Sequence, residues 1–198
     1  MAIFDWDNLL SHLNQTLIEA MREDMQQPSA SEIPASGWLG YPGASEELIV
    51  QAETRLGTQL PPSYREFLQV SNGWRRSDWT ELELWSVEQI DWFRSRNLDW
   101  INCWQPYTPE RPSIPDAQYF VYGEEQDPVH LRREYLETAL EISSNSGDGD
   151  IYLLIPEVVD SNGEWEAWHF GNKLPGAYRY RSFYELMQQA LVWGRFVY

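Results

Sequence analysis

The stretch DIYLLIPEVVDSNGEWEAWHF, residues 150–170, constrains the fold more than any other. DIYLLIP (150–156) is a short, nearly continuous apolar run, the pattern of a buried strand. EWEAWHF (164–170) alternates and supplies a return strand. Between them Asn162-Gly163 predicts a tight hairpin, because both residues tolerate positive φ. The chain therefore contains an antiparallel pair near its C-terminal end.

Helices precede and follow that pair. SEELIVQAETRLG (45–57) has Ser45 at the N-cap, Glu46 and Glu47 in the first turn, and Leu48, Ile49, Ala52 and Leu56 as its buried stripe. Gly57 suits the left-handed stop. Leu60-Pro61-Pro62 then forces an extended approach and a fresh helix start. Ser63 with Glu66 predicts a capping box. Tyr64, Phe67 and Leu68 share one side, and Asn72-Gly73 ends the helix. SFYELMQQALVWG (182–194) is a closing helix with Ser182 as N-cap and Glu185 completing a second capping box.

Residues 4–26 carry Trp6, Leu9, Leu10, Leu13, Leu17 and Met21 at helical spacing, with Asp5 or Asp7 as cap. QQPSASEIPASG (26–37) reads as a linker. The organisation expected is an N-terminal helix and linker over 1–36 and a main domain over 37–198. Within that domain TELELWS (80–86), AQYFVYG (117–123) and LETALEISS (136–144) read as strands, and VEQIDWFRSRNL (87–98) as a helix. Helices, then mostly antiparallel strands, then a helix make an α+β domain: a central, largely antiparallel sheet flanked by helices.

With 198 residues, 42% hydrophobic and 23% charged, the chain can bury a core. Fourteen basic against thirty-one acidic residues leave a net charge of −17. Such a surface repels nucleic-acid backbones and anionic membranes and attracts a basic protein, although acidity also serves solubility. MAIFDWDNLL lacks the positive start of a secretory signal, and no run approaches a membrane span, so the expected location is the cytoplasm. Asn14-Gln15-Thr16 matches a glycosylation sequon that stays silent there.

Eleven tryptophans are present. Trp74, Trp79, Trp85, Trp92, Trp100 and Trp104 interleave with Asp78, Glu81, Glu83, Glu88, Asp91 and Asp99. Most large rings fill cores, but a ring left near the surface among carboxylates can anchor a basic partner. The candidate partner-binding residues are Trp74, Asp78, Trp79, Glu81, Glu83, Trp85 and Asp91.

Signs of catalysis are sparse. His12, His130 and His169 fall in different elements, and no nucleophile–base order, HExxH or phosphate loop occurs. Catalysis would need a pocket bringing His130 or His169 against carboxylates. The single cysteine, Cys103, rules out an intramolecular disulfide and, in NCWQP, reads as a small buried hydrophobe. Asp148 and Asp150 in SGDGD lack the rest of a calcium loop and read as a turn. Neither a metal nor a cofactor is expected.

One segment resembles a known family. GASEELIVQAETRLGTQLPPSYREFLQVSNGW (43–74) is similar to the SUKH superfamily, which includes the yeast Smi/Knr cell-wall-assembly regulators and many bacterial proteins. Leu56, Gly57, Leu60, Pro61, Tyr64, Phe67, Leu68, Asn72 and Gly73 carry the likeness, along with Glu53. SGDGDIYLLI, EWEAWHF and RSFYELMQQAL resemble later parts of the pattern, so the likeness runs over about 37–198. It implies a SUKH-like α+β fold and a non-catalytic protein-binding role. In bacteria that role is an immunity protein neutralising a toxin domain, often a nuclease or deaminase; in yeast it is regulatory scaffolding.

Overall fold

The computed structural model describes residues 4–23, 34–76, 82–104, 114–144, 150–171, 174 and 176–193. Its centre is an antiparallel meander of five strands in chain order: β1 (Asp91–Trp92), β2 (Leu140–Glu141), β3 (Ile151–Val159), β4 (Trp165–Phe170) and β5 (Ala177–Tyr180). Among the described residues six α-helices surround it: α1 (Trp6–Glu23), α2 (Glu46–Leu56), α3 (Pro62–Val70), α4 (Leu98–Trp104), α5 (Asp116–Tyr119) and α6 (Phe183–Trp193). The fold is α+β, with a central antiparallel sheet between helices.

Both sheet faces are covered, which is why β3 is nearly continuously apolar. Tyr152 and Leu154 of β3, Trp165 and Ala167 of β4, and Tyr180 of β5 face a core built with α1, α2, α3 and α6. Ile151, Leu153 and Ile155 point the other way, with Trp168, Phe170 and Ala177, onto Phe93, Ile101, Tyr119 and Leu136. Helix α1 buries Trp6, Leu9, Leu10, Leu13 and Leu17 in the first of these cores. Asn14 secures it to the following chain, its side chain accepting from Leu39 N at 2.8 Å and donating to Gly37 O at 2.9 Å.

The α2–α3 elbow is held by a carboxylate as well as by its prolines. Glu53 accepts from the Leu60 amide at 3.0 Å and from Arg65 Nε at 3.2 Å, tying both helices to one side chain. Ser45 caps α2, and Gly57 ends it in the left-handed region at φ +72°. Asn72 closes the far end of α3: its Oδ1 accepts from Val87 N at 2.7 Å and its Nδ2 donates to Glu88 at 3.1 Å. Leu56 and Leu60 are buried, as are Tyr64, Phe67 and Leu68.

Several local expectations change. Ser63 and Glu66 form no capping box; the Ser63 amide and hydroxyl donate to Glu164 at 2.8 and 2.5 Å instead. Ser182 caps α6, but Glu185 reaches back to the Arg181 amide, one residue earlier than a capping box requires. In the β3–β4 hairpin only Gly163 has positive φ, and Asp160 Oδ1 holds the turn by accepting from the Asn162 and Glu164 amides at 2.7 and 2.9 Å. Residues 117–123 are not a strand. Pro115 starts the helical turn α5, Gly123–Glu125 form a 3-10 turn, and Tyr119 turns inward onto Glu166.

Nor are residues 87–98 a single helix. The Asn72 bond to Val87 shapes a turn, Asp91–Trp92 pair with β2, and Phe93–Ser95 form a 3-10 turn. In the described part of 80–86, residues 82–86, Leu82 and Leu84 are buried in alternation, but the pairing shrinks to an isolated bridge between Leu84 and Trp74. LETALEISS yields only the two-residue β2 after a 3-10 turn at Arg133–Glu137. Cys103 is exposed on α4, not buried. Most of the linker, and Asp148 with its glycines, lie outside the described residues.

A buried polar network fastens the 116–128 segment to the sheet. Glu166, 1% exposed, accepts from Tyr119, from Tyr122 at 2.7 Å and from Trp168 Nε1 at 2.6 Å. Arg179, fully buried, donates to the Tyr119 carbonyl with its guanidinium 4.7 Å from the Tyr119 ring. At the β5 edge the Gln126 side chain imitates a neighbouring strand. It accepts from Arg179 N at 2.7 Å and donates to Arg179 O at 3.3 Å. Pro128 O accepts from Ala177 N beside it, and any side chain on Gly176 would collide with that carbonyl. The edge is thereby sealed against pairing with another chain.

Candidate partner-binding surface

The acidic aromatic stretch divides in the structure. Trp74 is completely buried, meeting Trp38 edge-on at 5.4 Å, so it anchors the core and offers nothing to a partner. Asp78, Trp79 and Glu81 lie outside the described residues. Glu83, Trp85 and Asp91 are half-exposed and meet along the β1–β2 edge of the sheet. The Trp85 amide donates to Ile142 O at 2.9 Å, Glu83 accepts from Ser144, and Asp91 stands in register with Glu141.

Glu141 and Arg96, which the spacing pattern did not mark, organise this edge. The Arg96 guanidinium lies 4.7 Å from the Trp85 ring centre and 3.5 Å from the Glu141 carboxylate. Asn97 donates to Glu141 at 3.1 Å. Burial, at 3% exposure, pushes the Glu141 carboxyl up to about 7, and the like charge of Asp91 adds to the rise. Arg96 and Asn97 oppose it without cancelling it. A carboxylate in an alternating strand was the only available signal, and spacing does not reveal which face is covered.

Several arginines hold the fold together by hydrogen bonds and ion pairs. Arg55 donates to Val87 and Ile90 carbonyls, Arg75 to Leu39 and Gly40, and Arg132 to Ile114 and Asp116. Arg65 holds Glu46 and Glu53, and Arg179 is buried. Asp5, Asp7, Glu47, Glu88, Asp99 and Glu124 are exposed. Arg22, Arg55, Arg76, Arg94, Arg96 and Arg181 are exposed as well, so the negative field follows from the acidic excess of the sequence.

A second feature lies at the opposite edge. Register aligns Tyr152, His169 and Tyr178 across β3, β4 and β5 on one face. The Tyr152 and His169 rings stack at 5.0 Å, and His169 Nε2 lies 3.0 Å from Asp150 Oδ2. The row ends in a cleft of about 600 Å³ lined by Glu124, Gln126, His169, Tyr178, Tyr180, Gln189 and Val192. This histidine does stand against a carboxylate beside a cleft. No group of three or more metal-ligating side chains occurs among the described residues. No helix among them is long and apolar enough to cross a membrane.

The family model described as "SMI1 / KNR4 family (SUKH-1)" matches residues 43–189. It takes in the sheet, the β1–β2 edge and the core around Phe93 and Trp168; α1 precedes it, and Val192 of the cleft lies past its end. No curated protein matches the chain.

Proposed function

The chain belongs to the SMI1 / KNR4 (SUKH-1) family, and on that premise we propose that it is a non-catalytic protein-binding module that neutralises a basic toxin domain by covering it. One observation carries this reading: in a chain of net charge −17, Glu83, Asp91 and the Trp85 ring share an accessible sheet edge. A nuclease or deaminase toxin must hold phosphates and so presents a basic face. Long-range attraction would speed encounter by roughly ten- to a thousandfold, and a ring such as Trp85 would slow dissociation.

Affinity capture from the native host, followed by co-expression with the captured protein, tests the proposal. A basic partner whose toxicity is suppressed, and whose binding weakens steeply with salt, supports it. Capture of a non-toxic cellular protein points instead to the regulatory branch of the family. Salt-insensitive binding overturns the electrostatic argument.

The His169–Asp150 pair beside the cleft favours a second, catalytic reading. A hydrolytic activity lost in the H169N variant would establish it. Neutralisation unaffected by H169N would remove it.

A further inference from the structure

We propose that the cleft between β5 and the last turns of α6 receives a cationic side chain of the protein partner, best an arginine. The proposal rests on the protein-binding reading and adds a contact at the sheet edge opposite Trp85. Two independent features converge on a cation.

The first is aromatic. Tyr178, on β5, presents its ring beside His169 of the neighbouring strand, while Tyr180, two residues on, lies on the same face but is buried in the core. Ring faces carry negative potential, and a flat guanidinium stacks on them better than an ammonium does. This protein already uses that contact internally: Arg75 lies 3.9 Å from the Tyr41 ring centre, and Arg181 lies 4.6 Å from that of Tyr122.

The second is net charge. Glu124 lines the cleft, with Gln189 and Val192 of α6 facing it. Among the described residues the neighbouring cations are held elsewhere: Arg181 and Glu185 pair with each other, and Arg179 is buried on the opposite sheet face. His169 shares its ring nitrogen with Asp150. Tyr178 and Val192 are 37% and 39% exposed, so a partner's side chain can reach the cleft.

The test is an NMR titration of the full chain with N-acetyl-arginine amide and, as a neutral control of the same shape, N-acetyl-citrulline amide. The expected result is saturable shifts confined to Tyr178, Tyr180, Gln189 and Val192, with arginine at least tenfold tighter than citrulline. In Y178A the arginine affinity should fall about tenfold, while W85A should leave it unchanged. Equal binding of citrulline, shifts mapping to the Trp85 edge, or no saturable shift would each overturn the assignment. None of those results would touch the acidic-surface reading, because the probe contains no partner protein.

Discussion

The Glu164 carboxylate, 101 residues from Ser63 in the chain, takes both the Ser63 amide and the Ser63 hydroxyl at the first turn of α3. The first turn of a helix leaves amides without intrahelical partners, and Pro61 at the N-cap has no side chain to offer them. The strand β4 hairpin thus supplies the cap that the helix lacks. Burial raises the Glu164 carboxyl above its usual range, while the Ser63 bonds pull the other way.

Removing the two partners should therefore cost different amounts. E164A strands a buried amide and a buried hydroxyl and is expected to lose about 2–4 kcal/mol of stability in urea denaturation. S63A leaves the amide bond intact and should lose about 1 kcal/mol. Equal losses would show that the hairpin does not cap the helix.

Glu141 predicts a pH dependence with a definite sign. Its carboxyl moves from an ordinary 4.5 to about 7 in the folded protein. Between those values the native state holds a proton that the unfolded chain has released, so stability falls as pH rises across this window. The loss should be on the order of 1–3 kcal/mol. E141Q, a neutral mimic, should flatten the melting temperature between pH 5 and 7.5 (~, the window set by this shift). An unchanged slope would refute the assignment.

Two tryptophans that look alike in sequence should behave oppositely. W74A opens a cavity in a fully buried site and is expected to cost about 3–5 kcal/mol. W85A removes a half-exposed ring and should cost about 1 kcal/mol or less, while weakening capture of the basic partner about tenfold or more. Denaturation and binding measured on both variants separate scaffold from contact.

Gln126 guards the β5 edge. Q126A should expose the Arg179 amide and carbonyl, lower stability by about 1–2 kcal/mol and promote self-association detectable by light scattering. A variant that stays monomeric and equally stable would show that Pro128 alone seals the edge.

Much of the scaffold was legible in the sequence because its signals are local. Ser45 and Gly57 mark the ends of α2, Pro62 starts α3, and apolar spacing announces α1 and α6. The apolar run of β3 and the glycine at its turn locate the hairpin. Such signals act between neighbours a few residues apart, so a one-dimensional reading captures them. The stretch 117–123 misled for the opposite reason: its aromatic residues satisfy strand statistics, but Tyr119 is claimed by Glu166, a partner 47 residues away.

The candidate contact surfaces followed the same division. An acidic, tryptophan-rich stretch could be seen in the chain, but not that Trp74 would be wholly enclosed while Trp85 stayed half-open. His169, Asp150 and Tyr178 carry no common motif; strand register alone aligns the first and last and sets the cleft beside them. The sequence by itself determined α1, α2, α3, α6, the β3–β4 hairpin and what charge the molecule carries, since these depend on residue type and short-range spacing. Only the tertiary structure decided which rings and carboxylates face outward. That choice depends on which layers cover each face of the sheet, and layers meet through contacts made across a hundred residues of chain.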